Sequence, residues 1–172
     1  MIDRVPPQNI EAEQAVLGAM LIKKEAIAEV SEVLRPEDFY RETHRIVFAA
    51  MMELFTKNEA VDLITVTEQL RKNEQLEKVG GIAFITSLAN AVPTAANVVY
   101  HANIVESKAQ LRNLINAATE IAGAAYEDNE DVSDVMDQAE KKILSVAAHQ
   151  TGGAFEPIKD ILLNTFSKIE SL

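Results

Sequence analysis

The first half of the chain alternates short apolar stretches with turn-forming residues, a pattern typical of several short helices. Pro6-Pro7 excludes helix at the start, and Asn9 is placed to cap a helix that begins at Ile10. Apolar positions at helical spacing continue to Leu34, and Arg35-Pro36 ends the pattern. We therefore predict helix from Ile10 to Leu34.

A second group of short elements follows a connector that holds Phe39-Tyr40. The next helix is strongly amphipathic. Its predicted apolar face consists of Ile46, Val47, Ala50, Met51, Leu54 and Phe55. Asp62 is placed to cap a further helix, residues 73–77 are expected to form a loop, and Gly80-Gly81 marks a tight junction before another short helix. The pattern predicts five or six short helices in residues 1–94, which we call the head.

The spacing changes from about Ala95, where a long helix is predicted to run to about Tyr126. An acidic turn follows at Glu127–Asp131, and a second helix is predicted from about Val132 to His149. Apolar residues in both helices step alternately by three and four, the period of helices that pack along their length. Because the turn is short, residues 95–150 are predicted to form an antiparallel hairpin.

The hairpin carries two apolar stripes. We assign Leu111, Ile115, Ala118, Ala122 and Ala125, facing Val132, Met136, Ala139, Ile143 and Val146, to the contact between the two helices. The second stripe consists of Leu114, Ala117, Ile121, Ala124, Val135 and Leu144. A hairpin alone would leave this second stripe exposed, and exposed apolar surface usually marks an interface. We predict that it pairs with another copy of the chain; the alternative is that it packs back on the head.

A last element is predicted after the Gly-Gly break at residues 151–154. Glu156-Pro157 opens a helix, since Pro suits the first turn. Its apolar face consists of Ile158, Ile161, Leu162, Thr165, Phe166 and Ile169. So short a helix is marginal in water alone, so we expect it to dock on a domain of a neighbouring subunit; the alternative is folding back on this chain. No stop signal precedes Leu172, and we expect the natural chain to continue. The predicted fold class is all-α: a compact multi-helix head (1–94), an antiparallel hairpin (95–150), and a hinge with a short linker helix (151–172).

Composition narrows the classes of function. Apolar residues make up 48% of the 172 residues, enough for a core, and there is no Cys, so disulfides and cysteine zinc sites are excluded. The start has no signal-peptide pattern, and no apolar run approaches the roughly 20 residues that cross a bilayer, so we expect a cytoplasmic protein without membrane contact. The net charge of −11 opposes nucleic-acid binding by this chain itself.

Candidate chemistry is sparse. The sequence contains no phosphate-binding loop and no G-x-S-x-G motif, and His44, His101 and His149 lack ligand spacing, so we expect no catalytic, cofactor or metal site. We interpret His44 as a cap or core-edge residue. Glu11 and Glu13 are interpreted as first-turn acids favoured by the helix dipole.

The turn of the hairpin is strongly acidic. Residues 113–140 hold eight carboxylates and no Lys or Arg. The turn fails as a calcium loop because the required Gly is missing and Val132 occupies a ligand position. It is either a solvated tip or an acidic surface that attracts a basic partner.

Several motifs, in order along the chain, support a resemblance. Pro6–Gly18 (PPQNIEAEQAVLG) strongly resembles the opening of the bacterial replicative DNA helicase family of the DnaB type. Asp38–Phe48, Asp62–Val66 and Gly80-Gly81 look like the next family motifs, and Pro93–Val105 (PTAANVVYHANIV) is the most distinctive. The resemblance spans essentially the whole chain.

The resemblance implies a role in DNA replication. In that family this region is a helical head and hairpin, hairpins pair, and the pairs form a collar above a ring of RecA-like motor domains that bind ATP and Mg and unwind DNA. The collar recruits the primase C-terminal domain, the linker helix packs on a neighbouring motor, and a helicase loader is a further candidate partner. The motor would lie beyond Leu172 and make the main DNA contacts.

For this chain the resemblance implies a non-catalytic oligomerisation and primase-docking domain. No short motif transfers the primase contact residue by residue, so we predict it near the turn of the hairpin, at Tyr126, Glu127, Asp128, Glu130 and Asp131. A dimer, a trimer of dimers and a hexamer could all use one hairpin face. The alternative function is a stand-alone helical adaptor or regulatory protein.

Overall fold

The computed structural model describes residues 4–91 and 94–150, without the side chains of 149 and 150, and every regular element within those ranges is helical. This confirms the predicted all-α class, and the two long helices match the predicted arms of the hairpin closely. The helices are α1 (Ile10–Ile22), α2 (Lys24–Ser31), α3 (Glu42–Thr56), α4 (Leu63–Lys72), α5 (Leu76–Val79), α6 (Gly81–Asn90), α7 (Val98–Glu127) and α8 (Val132–Gln150), with a 3₁₀ turn at Pro36–Asp38.

Helix α1 begins where the sequence predicts, because the side chain of Asn9 accepts a hydrogen bond from the amide of Ala12 at 2.9 Å. It packs against α2, α3 and α6. Its buried residues therefore occupy nearly all sides of the helix: Ala12, Glu13, Val16, Leu17, Gly18, Ala19, Met20 and Leu21.

The prediction of unbroken helix from Ile10 to Leu34 is wrong at Lys23, which adopts an extended conformation with φ −132° and ψ 117°. A straight helix over this whole stretch would be roughly 37 Å long and could not return to the core. The break lets α2 pack against α1 and bury Ala26, Ile27 and Val30.

Helix α3 and the connector before it supply the two largest fully buried side chains, Phe48 and Phe39. Phe48 is fully buried, and its ring centroid lies 4.9 Å from that of Phe39, which the connector before α3 folds into the core. The predicted face of α3 omitted Phe48 and included Phe55. Phe55 is 37% exposed and lines a surface groove with Ile27 and Val61, so its assignment to the core was wrong.

A buried carboxylate joins α1 to α3. Glu13 is 1% exposed, and its side chain accepts hydrogen bonds from the amide of Tyr40 (2.8 Å), the amide of Arg41 (3.4 Å) and Nδ1 of His44 (2.8 Å). Arg41 is the N-cap of α3 and makes no side-chain cap bond of its own. Glu13 therefore caps α3 from another helix. It lies in the first turn of α1, as the sequence indicates, but its side chain is buried and binds the beginning of α3, which the helix dipole of α1 does not explain.

His44 completes this arrangement. Its ring is fully buried and stacks on Phe84 of α6, with centroids 6.0 Å apart. Since a carboxylate oxygen faces Nδ1, that nitrogen carries the hydrogen, while Nε2 has no hydrogen-bond partner among the described residues. The interpretation of His44 as a core-edge residue understated its burial: together with Glu13 it connects α1, α3 and α6.

Helices α4 to α6 follow local signals. The predicted cap at Asp62 is confirmed: its side chain accepts from the amide of Thr65, whose hydroxyl accepts from the amide of Asp62, both at 2.9 Å. The predicted loop at 73–77 is wrong at its end, because the one-turn helix α5 begins at Leu76. A single turn has no visible period in the sequence.

The chain divides into two compact units, residues 1–111 and a second unit that begins at Arg112. The division falls within α7 rather than at the predicted boundary after residue 94. The first turns of α7 explain the difference, because Val98, Ala102 and Val105 belong to the core of the first unit.

Candidate interaction surface

The second unit contains the acidic turn and the end of the hairpin. Only four residues separate the end of α7 from the beginning of α8, and Nζ of Lys142 on α8 lies 3.6 Å from Oε2 of Glu120 on α7. The carbonyl of Asp131 accepts from the amides of Asp134 (3.0 Å) and Val135 (3.1 Å), which starts α8. Helix α8 therefore runs back along α7, as predicted.

The inner side of this hairpin is built from the stripe that we assigned to self-association. Ala117 is 7% exposed, and Ile121, Ala124 and Val135 are half-buried. The expectation that a single chain leaves these four residues uncovered is wrong. Of the same predicted stripe, Leu114 and Leu144 are exposed.

The stripe that we assigned to the contact between the helices mostly faces outward instead. Ile115 is 48% exposed, Met136 59% and Val132 74%; the other exposed members are Leu111, Ala118, Ala122, Ala125 and Ile143. Only Ala139 and Val146 of that predicted seam are half-buried. On α7 the prediction exchanged the two stripes because their spacing is the same, and spacing alone does not say which one faces the neighbouring helix.

The outward-facing residues of the two helices lie on one side of the hairpin. Successive residues of an α-helix are rotated by roughly 100° about the helix axis. By this measure the outward-facing residues of α7 are turned about 100° from the inner stripe, and those of α8 are turned about 70° in the same sense. Because the helices are antiparallel, equal senses of rotation bring both stripes to the same side. We call this surface the outer face: Ile115, Ala118, Ala122, Val132, Met136 and Ile143.

Leu144 does not belong to the outer face, although it is 66% exposed. It is one residue beyond Ile143 and is therefore rotated by about 100° away from that side. It is thus an exposed apolar residue of the same helix on a different surface.

The predicted partner-facing residues form an exposed tip. Tyr126 is 90% exposed. The acidic residues of the turn are exposed as well: Glu127, Asp128, Glu130 and Asp131. Asp128 adopts a positive φ of 52°, and Nε2 of Gln138 donates to Glu130 at 3.0 Å. We call these five predicted residues the acidic tip.

Two further observations concern the chemistry of the described residues. Among them, no group of three or more His, Asp or Glu side chains is placed to hold a metal ion. None of the helices within these ranges combines the length and apolarity that crossing a membrane requires. The predicted linker residues Ile158, Ile161, Leu162, Phe166 and Ile169 lie outside the described residues.

Comparison with known proteins gives the family. The family model described as the DnaB-like helicase N terminal domain matches residues 5–107. The Replicative DNA helicase DnaB of Geobacillus stearothermophilus is 49% identical over 170 residues, which cover 99% of this chain and 37% of that protein. The chain thus spans little more than a third of that relative's length.

Solved structures agree with the sequence comparisons. The crystal structure of the N-terminal domain of DnaB helicase from Mycobacterium tuberculosis is 43% identical, with a TM-score of 0.79 over 82% of this chain and 99% of that chain. A DnaB-like replicative helicase, described with its interactions with primase, is 27% identical, with a TM-score of 0.67 over 88% of this chain and 35% of its own. On the matched motifs, the helical fold and these likenesses, the chain belongs to the family of DnaB-like helicase N-terminal domains.

Proposed function

We propose that this chain is the non-catalytic assembly and primase-docking part of a replicative DNA helicase. The observation that carries the proposal is the outer face, an apolar surface that stays exposed on the hairpin of the second unit. Contiguous apolar surface of this kind in a soluble chain usually marks an interface. The family relationship makes a replicative helicase the protein in which such an interface would work.

The proposed partner for the outer face is a second copy of the same face. Large side chains such as Ile115, Val132 and Met136 supply area, while Ala118 and Ala122 permit close approach of a partner helix. A self-complementary patch of this kind suits a two-fold interface. Further contacts between such pairs would build a trimer of dimers or a hexamer.

Sedimentation equilibrium of the chain tests this assignment. Ile115→Asp places a charge within the outer face and should weaken self-association tenfold or more, since an unpaired charge is costly to bury. Leu144→Asp adds the same charge to the same hairpin but away from the face, and should leave the association unchanged. Equal effects of both variants, or a monomeric wild type at tens of micromolar, would contradict the assignment.

Primase docking is the proposed role of the acidic tip. The 27% identical helicase is described with its interactions with primase, and we extend such an interaction to this chain. Carboxylates at the end of α7 oppose the helix dipole, so helix stability does not explain Glu127. A basic partner surface would benefit from this concentration of negative charge, and Tyr126 would add an apolar anchor.

Titration calorimetry with the primase C-terminal domain tests the docking site. Tyr126→Ala should weaken binding by about 1–2 kcal/mol, as for an aromatic interface anchor. Tyr100→Ala removes a tyrosine that is 69% exposed in the first unit and serves as the matched control. Binding that does not weaken with added salt, or an equal loss in both variants, would argue against the acidic tip.

The remaining activity belongs, in this proposal, to the rest of the helicase. A RecA-like motor following the linker helix would bind ATP and Mg, contact DNA and unwind it, and a loader is a further proposed partner. The linker residues would dock on a neighbouring motor.

The stand-alone adaptor is disfavoured because the relatives that carry this segment are named replicative helicases. Sequencing the gene beyond Leu172 tests the proposal: a strand and a phosphate loop should follow.

A further inference from the structure

The methionines in the described part of the chain differ sharply in exposure. Met20 and Met51 are fully buried and Met52 is half-buried, all in the first unit. Met136 is 59% exposed and lies on the outer face between Val132 and Ile143. Its thioether is thus the one that reagents in solution reach readily among the described methionines.

We infer that hydrogen peroxide controls the assembly of this chain by oxidising Met136 to its sulfoxide, an inference that rests on the proposed self-association. The sulfur attacks one peroxide oxygen, an S–O bond forms, the O–O bond breaks and water leaves. The sulfur loses two electrons and the peroxide gains them. Methionine sulfoxide reductases reverse the change, which makes it a switch rather than only a lesion.

The chemical consequence follows from the position of Met136. Oxidation converts a flexible apolar side chain into a polar one with a strong acceptor oxygen. In a single chain that oxygen stays hydrated, so folding is unaffected. In the assembled face it loses its water, and the apolar neighbours Val132 and Ile143 on that face offer it no donor, so pairing weakens.

The same geometry predicts protection by assembly. Pairing of outer faces covers Met136, so peroxide reacts with dissociated chains. Oxidation then withdraws these chains from the equilibrium. The rate of Met136 oxidation should fall as chain concentration rises, while a surface methionine outside an interface would react at a constant rate.

The experiment combines sedimentation equilibrium with mass spectrometry of the peptide that contains Met136. After treatment with hydrogen peroxide the dissociation constant should rise tenfold or more, and incubation with a methionine sulfoxide reductase should restore it. Met136→Leu keeps the apolar volume without the oxidisable sulfur, so it should assemble like the wild type and resist peroxide. Met136→Gln should assemble weakly without treatment.

The outcomes separate the two ideas. A treated chain with oxidised Met136 and unchanged affinity, or an oxidation rate independent of chain concentration, overturns the switch and leaves the proposed self-association standing. Equal peroxide sensitivity in Met136→Leu also overturns it, because another group would be responsible. An untreated wild type that stays monomeric refutes the self-association and the switch together.

Discussion

Replacing Glu13 with alanine removes the acceptor of three hydrogen bonds that join α1 to the beginning of α3. Two of the donors, the Tyr40 amide and Nδ1 of His44, lie 2.8 Å from its carboxylate. Removing one partner of a buried charged network typically costs about 3–5 kcal/mol, because the other partner keeps its desolvation cost. Small proteins have only about 5–15 kcal/mol in total, so we expect Glu13→Ala to destabilise the first unit severely.

Conservative replacement should give an intermediate result. Glu13→Gln keeps the size of the side chain and one acceptor oxygen. Its NH₂ group replaces the second oxygen, and because this group is itself a donor it cannot accept the remaining hydrogen bonds. We expect a loss of about 2 kcal/mol. Glu11 is an exposed carboxylate in the same turn, so Glu11→Gln is the matched control. It should lower the free energy of unfolding by less than about 1 kcal/mol.

Urea unfolding followed by circular dichroism measures the free energy of unfolding, with amide exchange at Val47 and Phe48 reporting α3 separately from the second unit. In thermal unfolding, Glu13→Ala should lower Tm by roughly 10–20 °C. A double-mutant cycle between Glu13 and His44 should show coupling of at least about 1 kcal/mol. If Glu13→Ala lies within about 1 kcal/mol of the wild type, the carboxylate is not the cap that joins these helices.

Three further substitutions test individual packing and capping features. Phe48→Ala should cost about 3–5 kcal/mol in urea unfolding, because a fully buried ring leaves a cavity, whereas the partly exposed Phe55→Ala should cost less than half as much. Gly80→Ala should cost about 1–3 kcal/mol, since Gly80 has φ 111° and a Cβ there would lie 3.1 Å from Cβ of Phe84; an unchanged Tm would refute this strain. Asp62→Ala should cost about 1 kcal/mol and Asp62→Ser much less, because serine also caps helices.

Signals that act within a few residues predicted most of the secondary structure. Asn9 and Asp62 cap helices that begin where the sequence places them, and the long apolar period predicts both α7 and α8. Such signals need no knowledge of the rest of the fold, since a cap or a period is satisfied by its own turn. The break at Lys23 is not predicted, because it depends on the packing of α2 against α1. No residue close to Lys23 in sequence signals that contact.

The capping role of Glu13 depends on contacts between residues that are far apart in sequence. Its partners Tyr40 and His44 follow it by 27 and 31 residues. An acid in a first turn has a sufficient local explanation in the helix dipole, so sequence reasoning had no cause to seek another. The sequence does hold one signal that Glu13 is buried. Its apolar neighbours Ala12 and Val16 indicate a helix with little exposed surface.

The two apolar stripes of α7 supply a final test, since the sequence identifies both of them but assigns their directions in reverse. Ile121 on the inner stripe is half-buried, whereas Ile115 on the outer face is 48% exposed. Ile121→Asp should therefore destabilise the second unit by about 1–3 kcal/mol, because it places a carboxylate against α8. Ile115→Asp should cost less than about 1 kcal/mol while still weakening self-association. Amide exchange along α8, measured at concentrations where the chain is monomeric, separates the two. Faster exchange in Ile115→Asp than in Ile121→Asp would restore the reverse assignment and remove the basis for the outer face.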